Sequence, residues 1–140
     1  MKMINDVEFL KGNNLIKIFD DSADLNILCP YDIDIFAMNR CVIFTGLHIS
    51  IPKSYVGIIK SNKFFAMEKN VEVSNSGIIN YGDTEEIRII LRNFGTTTVQ
   101  INKEDVIAQL ITVGVNLSRY MESYEDIKYL SIQEGKFQIR

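Results

Sequence analysis

Ser76-Gly77-Ile78-Ile79-Asn80-Tyr81-Gly82-Asp83, the apolar run 86–91 behind it, and Lys103-Glu104-Asp105-Val106-Ile107-Ala108-Gln109-Leu110-Ile111 set the character of this chain. Each joins a short run rich in Ile, Val and Leu to a turn built from Asn, Gly or Asp, residues that tolerate left-handed backbone. Runs of the same kind recur outward from these, at 14–19, 33–37, 41–51, 55–59, 97–101 and 106–113. Turn chemistry separates them. Ile51-Pro52-Lys53-Ser54 places proline at a corner, Ser74-Asn75-Ser76-Gly77 offers residues for positive φ, and Asn93-Phe94-Gly95 and Asn102-Lys103-Glu104-Asp105 close two further hairpins. The spacing predicts an all-β domain of many short strands with at most one short helix, at 64–69 or at 118–128. The second candidate is polar on most faces and reads equally as an exposed turn.

At 140 residues and 16.0 kDa the chain suits one domain, 1–140, with its core over about 33–113 and an extension over 114–140. A net charge of -3 with scattered Lys and Arg argues against a groove for a nucleic-acid polymer. Cys29 and Cys41 flank a polar, acidic stretch in a chain with no secretory apolar region, which predicts buried, reduced thiols and a cytoplasmic setting. Its apolar runs are too short for a bilayer span. His48 is the sole histidine and lies in a strand-like run, with no Cys or Ser placed to pair with it as a nucleophile and no cluster of metal ligands.

Residues 39–113 resemble the homotrimeric dUTPase family, whose fold is a jelly-roll-like β-clip. Thr45-Gly46-Leu47-His48-Ile49-Ser50-Ile51-Pro52 is similar to the family's Thr-Gly-Ile...Ile-Pro strand, and Tyr55-Val56-Gly57-Ile58-Ile59 to its Tyr-x-Gly-x-Ile. The first motif, Ala-Gly-Tyr-Asp-Leu, finds its counterpart in Ile33-Asp34-Ile35-Phe36-Ala37, or in another register in Tyr31-Asp32. The resemblance implies that Asp34 helps hold, through water, a Mg²⁺ carried by a nucleoside triphosphate, the ion being needed only with such a ligand. The second motif, Pro-Arg-Ser-Gly, stands here as Ser61-Asn62-Lys63-Phe64. Lys63 restores one positive charge without the planar donor fork of arginine.

The third motif, Gly-Val-Ile-Asp, is matched by Gly77-Ile78-Ile79-Asn80. In the family this aspartate activates water, and an amide in its place is far too weak a base. The aromatic residue that stacks on deoxyribose belongs at Asp83, with Tyr81 displaced by two positions and Asp83 itself a candidate replacement base. The fourth motif, Gly-Asp-Arg-Ile-Ala-Gln-Leu-Ile, keeps Gln109 at its phosphate-contacting position and puts Val106 in place of arginine. Of the Gly-rich fifth motif only Gly135 and Phe137 remain, with Lys136 and Arg140 as phosphate contacts from an arm. The glutamate characteristic of the related dCTP deaminases would fall near Ile90 or Leu91 and is absent.

The leading reading of the sequence is a catalytically degenerate dUTPase-like homotrimer of viral or phage origin, binding a nucleotide-like ligand at inter-subunit clefts. Its ligand-binding residues would be Ser61, Asn62, Lys63, Ser74, Gly77, Ile79, Asn80, Tyr81, Asp83 and Gln109. Two alternatives stand beside it: an active Mg²⁺-dependent dUTP diphosphatase, and a regulatory module in which the old pocket binds a protein partner.

Overall fold

The structure is a computed structural model that describes residues 2–4, 7–17, 25–74 and 77–115. In chain order its strands are β1 (Lys2–Ile4), β2 (Val7–Lys11), β3 (Ile16–Lys17), β4 (Leu25–Leu28), β5 (Ile33–Ile35), β6 (Arg40–Phe44) and β7 (His48–Ser50). There follow β8 (Tyr55–Ser61), helix α1 (Lys63–Glu68), β9 (Val71–Val73), β10 (Ile78–Ile79), β11 (Arg88–Asn93), β12 (Val99–Ile101) and β13 (Val106–Gly114). A single 3-10 turn, Asn13–Leu15, precedes β3. All the described pairings are antiparallel, in four sheets ordered β1-β2-β7, β10-β8-β13-β4-β3, β6-β11-β9 and β12-β5. Among the described residues this is the many-stranded all-β architecture with at most one short α-helix that the apolar spacing predicts, and it matches a dUTPase-like β-clip.

Strand β13 organises the middle of the molecule because its alternation continues long enough to serve two neighbours. It pairs with β4 on one edge and β8 on the other, and Ile107, Ala108 and Leu110 are buried beneath it. In β11 the period of two is equally plain: Ile89, Leu91 and Asn93 face inward while Arg88 is exposed. These inward residues join Ile43, Leu47, Ile49, Ile51, Ile59 and Ile101 in one core. The core also takes in Val7, Phe9, Leu25 and Ile27, which lie outside the apolar runs read from the sequence.

Run 41–51 is not one strand. It breaks between β6 and β7, where the Thr45 hydroxyl donates to the Ile87 carbonyl at 2.6 Å and accepts from the Leu47 amide at 3.0 Å. A buried hydroxyl thus replaces ladder bonds, and Gly46, at φ 69°, turns the chain. Run 14–19 opens as the 3-10 turn before β3, and its last two residues lie outside the described part. Gly12 is required just before it: φ is 78°, and a Cβ there would lie 2.7 Å from the Gly46 carbonyl oxygen. Helix α1 starts one residue earlier than 64–69, while the candidate helix at 118–128 lies outside the described residues.

Both thiols are free, Cys29 buried and Cys41 half-buried. Burial pushes the Cys29 thiol up, as do the nearby Asp105 and Asp32, against a hydrogen bond to the Tyr31 carbonyl. Cys41 is raised likewise by burial and by Cys29. Since the thiolate is the reactive form, alkylation at neutral pH should be slow until the fold is opened, and mass spectrometry of iodoacetamide-treated native and urea-unfolded protein checks this.

Glu104 stands where the resemblance places glycine and adopts φ 75°. Glu104→Gly should therefore raise stability by about 1 kcal/mol, read as a higher melting temperature, because a side chain at positive φ is strained.

Candidate functional site

The resemblance implies a hairpin segment flanked by Val71-Glu72-Val73 and Ile78-Ile79; the second of these runs and the residues that follow β8 hang from the same strand. β10 lies on β8 with Ile78 opposite Ile58 and Ile79 opposite Gly57, and the Ile59 amide donates to the Gly77 carbonyl at 3.0 Å. Val71–Val73, in contrast, pairs with β11 in a different sheet, so β9 and β10 are not the two arms of one ladder. Beyond Ile79 the chain turns at once, the Asp83 amide donating to the Asn80 carbonyl at 3.1 Å with Gly82 at φ 88°. Asn80 and Tyr81 project from this turn into solvent, Tyr81 with 60% of its surface exposed.

Asp83 is exposed as well. It lines a cavity of about 180 Å³ with Gly77 and Ile79 from the hairpin and with Glu85, Glu86, Ile87, Arg88 and Ile90 as the chain enters β11. Ile59 and Val73 complete the apolar wall. The carboxylates are held by backbone: Asp83 Oδ1 accepts from the Glu85 amide at 3.3 Å and Glu86 Oε2 from the Gly46 amide at 2.8 Å. His48, whose ring nitrogen Nδ1 lies 3.0 Å from the Thr84 carbonyl oxygen, braces the same loop from β7. The cavity therefore combines an apolar wall with carboxylates at its polar end. Glu85, Glu86 and Arg88 were not among the candidate site residues of the sequence, although the acidic run Asp83-Thr84-Glu85-Glu86 marks the first two.

The second group gathers where β8 ends. Asn62 is the N-cap of α1, its Oδ1 accepting from the Phe64 amide at 2.8 Å while its Nδ2 donates to the Val106 carbonyl. The Ser61 hydroxyl accepts from the Val73 amide at 2.9 Å, and Lys63 is exposed on the first helical turn. Gln109 follows Ala108, the residue opposite Ser61, and donates to Asn26 Oδ1 at 2.9 Å. Asp34 is exposed on β5, opposite Gln100 of β12. Asp32 Oδ1 accepts from the Lys103 amide at 2.7 Å, tying the first-motif segment to the turn that precedes β13. Ser74 is exposed beside β11, its amide donating to the Ile90 carbonyl. Lys136, Phe137 and Arg140 lie outside the described residues.

Several of these positions carry structural work. Asn62→Ala removes a helix cap and a donor to the β13 entry, and should cost about 1 to 2 kcal/mol of stability by urea titration. With Ile79 opposite Gly57, the turn at Asn80 falls five residues along β8 from Ser61, roughly 16 Å at strand rise. The cavity itself reaches the second group, since Ile59 and Val73 line it and the Val73 amide donates to the Ser61 hydroxyl.

The dUTPase family model matches residues 17–138, and the chain belongs to the dUTPase family. Among curated proteins it is 30% identical over 118 residues to the deoxyuridine 5'-triphosphate nucleotidohydrolase of Hydrogenobaculum sp., covering 83% of this chain and 81% of that protein. It is 30% identical over 122 residues to the enzyme of the same name from Tropheryma whipplei, covering 86% and 84%. Among solved structures the native dUTPase of EIAV superposes with a TM-score of 0.70 at 25% identity, over 79% of this chain and 89% of that one. The dUTPase from phage phi11 of S. aureus gives 0.69 at 19%, over 80% and 92%, a likeness of fold. Among the described residues no helix is long and apolar enough to cross a membrane.

Proposed function

We propose that the protein is a dUTP diphosphatase that converts dUTP to dUMP and pyrophosphate, with Mg²⁺ carried by the triphosphate and Asp83 as the base. The carrying observation is the position of Asp83 on the wall of the cavity beside Gly77 and Ile79, in a segment where Asn80 carries an amide in place of a carboxylate. An ionised carboxylate there accepts a proton from water as the water oxygen attacks the phosphate chain and pyrophosphate leaves. The backbone of Gly77 and Ile79 presents amide and carbonyl groups to the edge of a uracil, and the isoleucine wall covers its face. Asp34, Lys63 and Gln109 supply the phosphate end, Asp34 through the ion's water shell. The reading takes the chain as a homotrimer, in which a neighbour completes the cavity. Family membership and the named nucleotidohydrolase relatives support it. The two free thiols fit a cytoplasmic setting.

A second reading, nucleotide binding without turnover, is favoured by the amide at Asn80 and by Asn62 and Val106 at the family's arginine positions. Pyrophosphate release from dUTP by the full chain separates the two. Mg²⁺-dependent release supports the diphosphatase; saturable binding of dUpNHpp with no release from dUTP selects the second reading. A regulatory surface for a protein partner would be left if neither occurs.

A further inference from the structure

The polar end of the hairpin cavity is acidic: Asp83, Glu85 and Glu86 line it against one guanidinium, that of Arg88. Two of the three carboxylates are already engaged by backbone, Asp83 by the Glu85 amide and Glu86 by the Gly46 amide. Glu85 is exposed, and among the described residues its carboxylate has no partner. The rest of the lining is glycine and aliphatic side chains, and among the described residues no aromatic ring stands on the wall. Tyr81, two residues before Asp83, is 60% exposed and is not part of that wall.

Charge decides which part of a nucleotide can lie at the acidic end. The triphosphate is itself anionic and belongs with Lys63 and Gln109, past the Ser61 hydroxyl that meets the Val73 amide. The pyrimidine face belongs on the isoleucine wall. The sugar is what remains, and its hydroxyls are donors, whereas an ionised carboxylate only accepts, with two oxygens to do so. Ribose offers an adjacent pair of hydroxyls where deoxyribose offers one, and an acidic side chain accepting from the 2′-hydroxyl is a recurrent way of holding ribose. With no ring on the wall, the space beside the sugar is left to that hydroxyl.

We propose that Glu85 accepts a hydrogen bond from the 2′-hydroxyl of a ribose, so that the cavity takes uridine ribonucleotides as well as deoxyuridine nucleotides. The inference rests on the nucleotide site proposed above and widens its ligand class from one sugar to two. For a deoxyribonucleotide, which lacks that hydroxyl, Glu85 only sets local charge.

The test is calorimetric titration of the full chain, with Mg²⁺, against UpNHpp, dUpNHpp and the 2′-fluoro analogue of dUpNHpp, in wild type and in Glu85→Ala. Position 85 is exposed, and the variant keeps the backbone amide that holds Asp83, so the fold should survive, with melting temperature as the control. Wild type should bind UpNHpp at least as tightly as dUpNHpp. The fluoro analogue, which fills much the same space without a donor, should bind about tenfold more weakly than UpNHpp. Glu85→Ala should erase that difference, weakening UpNHpp by about tenfold while dUpNHpp stays within a few-fold. If the variant proves unstable, the fluoro comparison in wild type decides alone. UpNHpp bound tenfold or more weakly than dUpNHpp would overturn the proposal and leave the diphosphatase reading standing. UpNHpp bound as tightly by folded Glu85→Ala as by wild type, or matched by the fluoro analogue, would also overturn it, because the cavity would then merely have room for the hydroxyl. Binding of none of the three by folded wild type would overturn both readings.

Discussion

Asp83→Asn should lower the rate of pyrophosphate release from dUTP by about 10²- to 10⁴-fold with little change in KM, the loss expected when a positioned base becomes an amide. The substitution keeps the shape of the residue and an acceptor oxygen for the Glu85 amide, so the turn at residues 80–83 should survive. Glu85→Gln is the control. Glu85 lines the same cavity, and a carboxylate that serves only to set local charge should change the rate by a few-fold. If Glu85→Gln is the damaging change and Asp83→Asn is silent, the base has been assigned to the wrong carboxylate. Asn80→Asp should add little, because Asn62 and Val106 still stand in place of arginines.

The largest effect on stability is expected at Asn93. This residue is fully buried at the end of β11, and its side chain bridges segments that are not otherwise paired. Nδ2 donates to the Ile35 carbonyl at 2.9 Å and to the Thr97 carbonyl at 2.8 Å, while Oδ1 accepts from the Gly95 amide at 2.8 Å. Asn93→Ala leaves these backbone groups without their partner in a dry setting, each at a cost of about 1 to 3 kcal/mol. A total loss of about 3 kcal/mol or more should appear as a large drop in the urea midpoint without a change in slope. Asn93→Asp keeps the acceptor and loses both donations, so it should be at least as damaging, with a buried charge added. A loss below about 1 kcal/mol in both would mean that water or a shifted loop replaces the side chain.

The sequence disclosed most where alternation met turn chemistry. β8, β11 and β13 lie close to the apolar runs at 55–59, 86–91 and 106–113, because one face of each enters the core and the register leaves no freedom to slip. β4 was hidden for the opposite reason. Leu25, Asn26 and Ile27 are all buried, so the period of two is absent, and the polar Asn26 accepts from Gln109 of β13. β2 does alternate, with Val7 and Phe9 buried, but it is short and its partner β7 is distant in sequence. Thr45 and Asn93 read as ordinary strand and turn residues, and nothing local reveals that each satisfies backbone groups brought in from elsewhere.

The site shows the same division. The position of Asn80 in its motif could be read directly, but that Asp83 lines the cavity could not. Asn62 reads as a lost arginine, whereas in the fold it caps α1 and holds the start of β13. That the cavity ends beside Ser61 depends on the pairing of β10 with β8 and of β9 with β11, long-range registers that no local pattern specifies.

Calorimetric titration of the assembled full chain with dUpNHpp and Mg²⁺ tests the central claim, that the hairpin cavity is a deoxyuridine-nucleotide site, without depending on turnover. The account expects saturable binding of one nucleotide per chain, weakened by at least about tenfold in Lys63→Glu, where repulsion replaces attraction at the phosphate end. Absence of binding at millimolar dUpNHpp, in a protein shown to be folded and assembled, would contradict it.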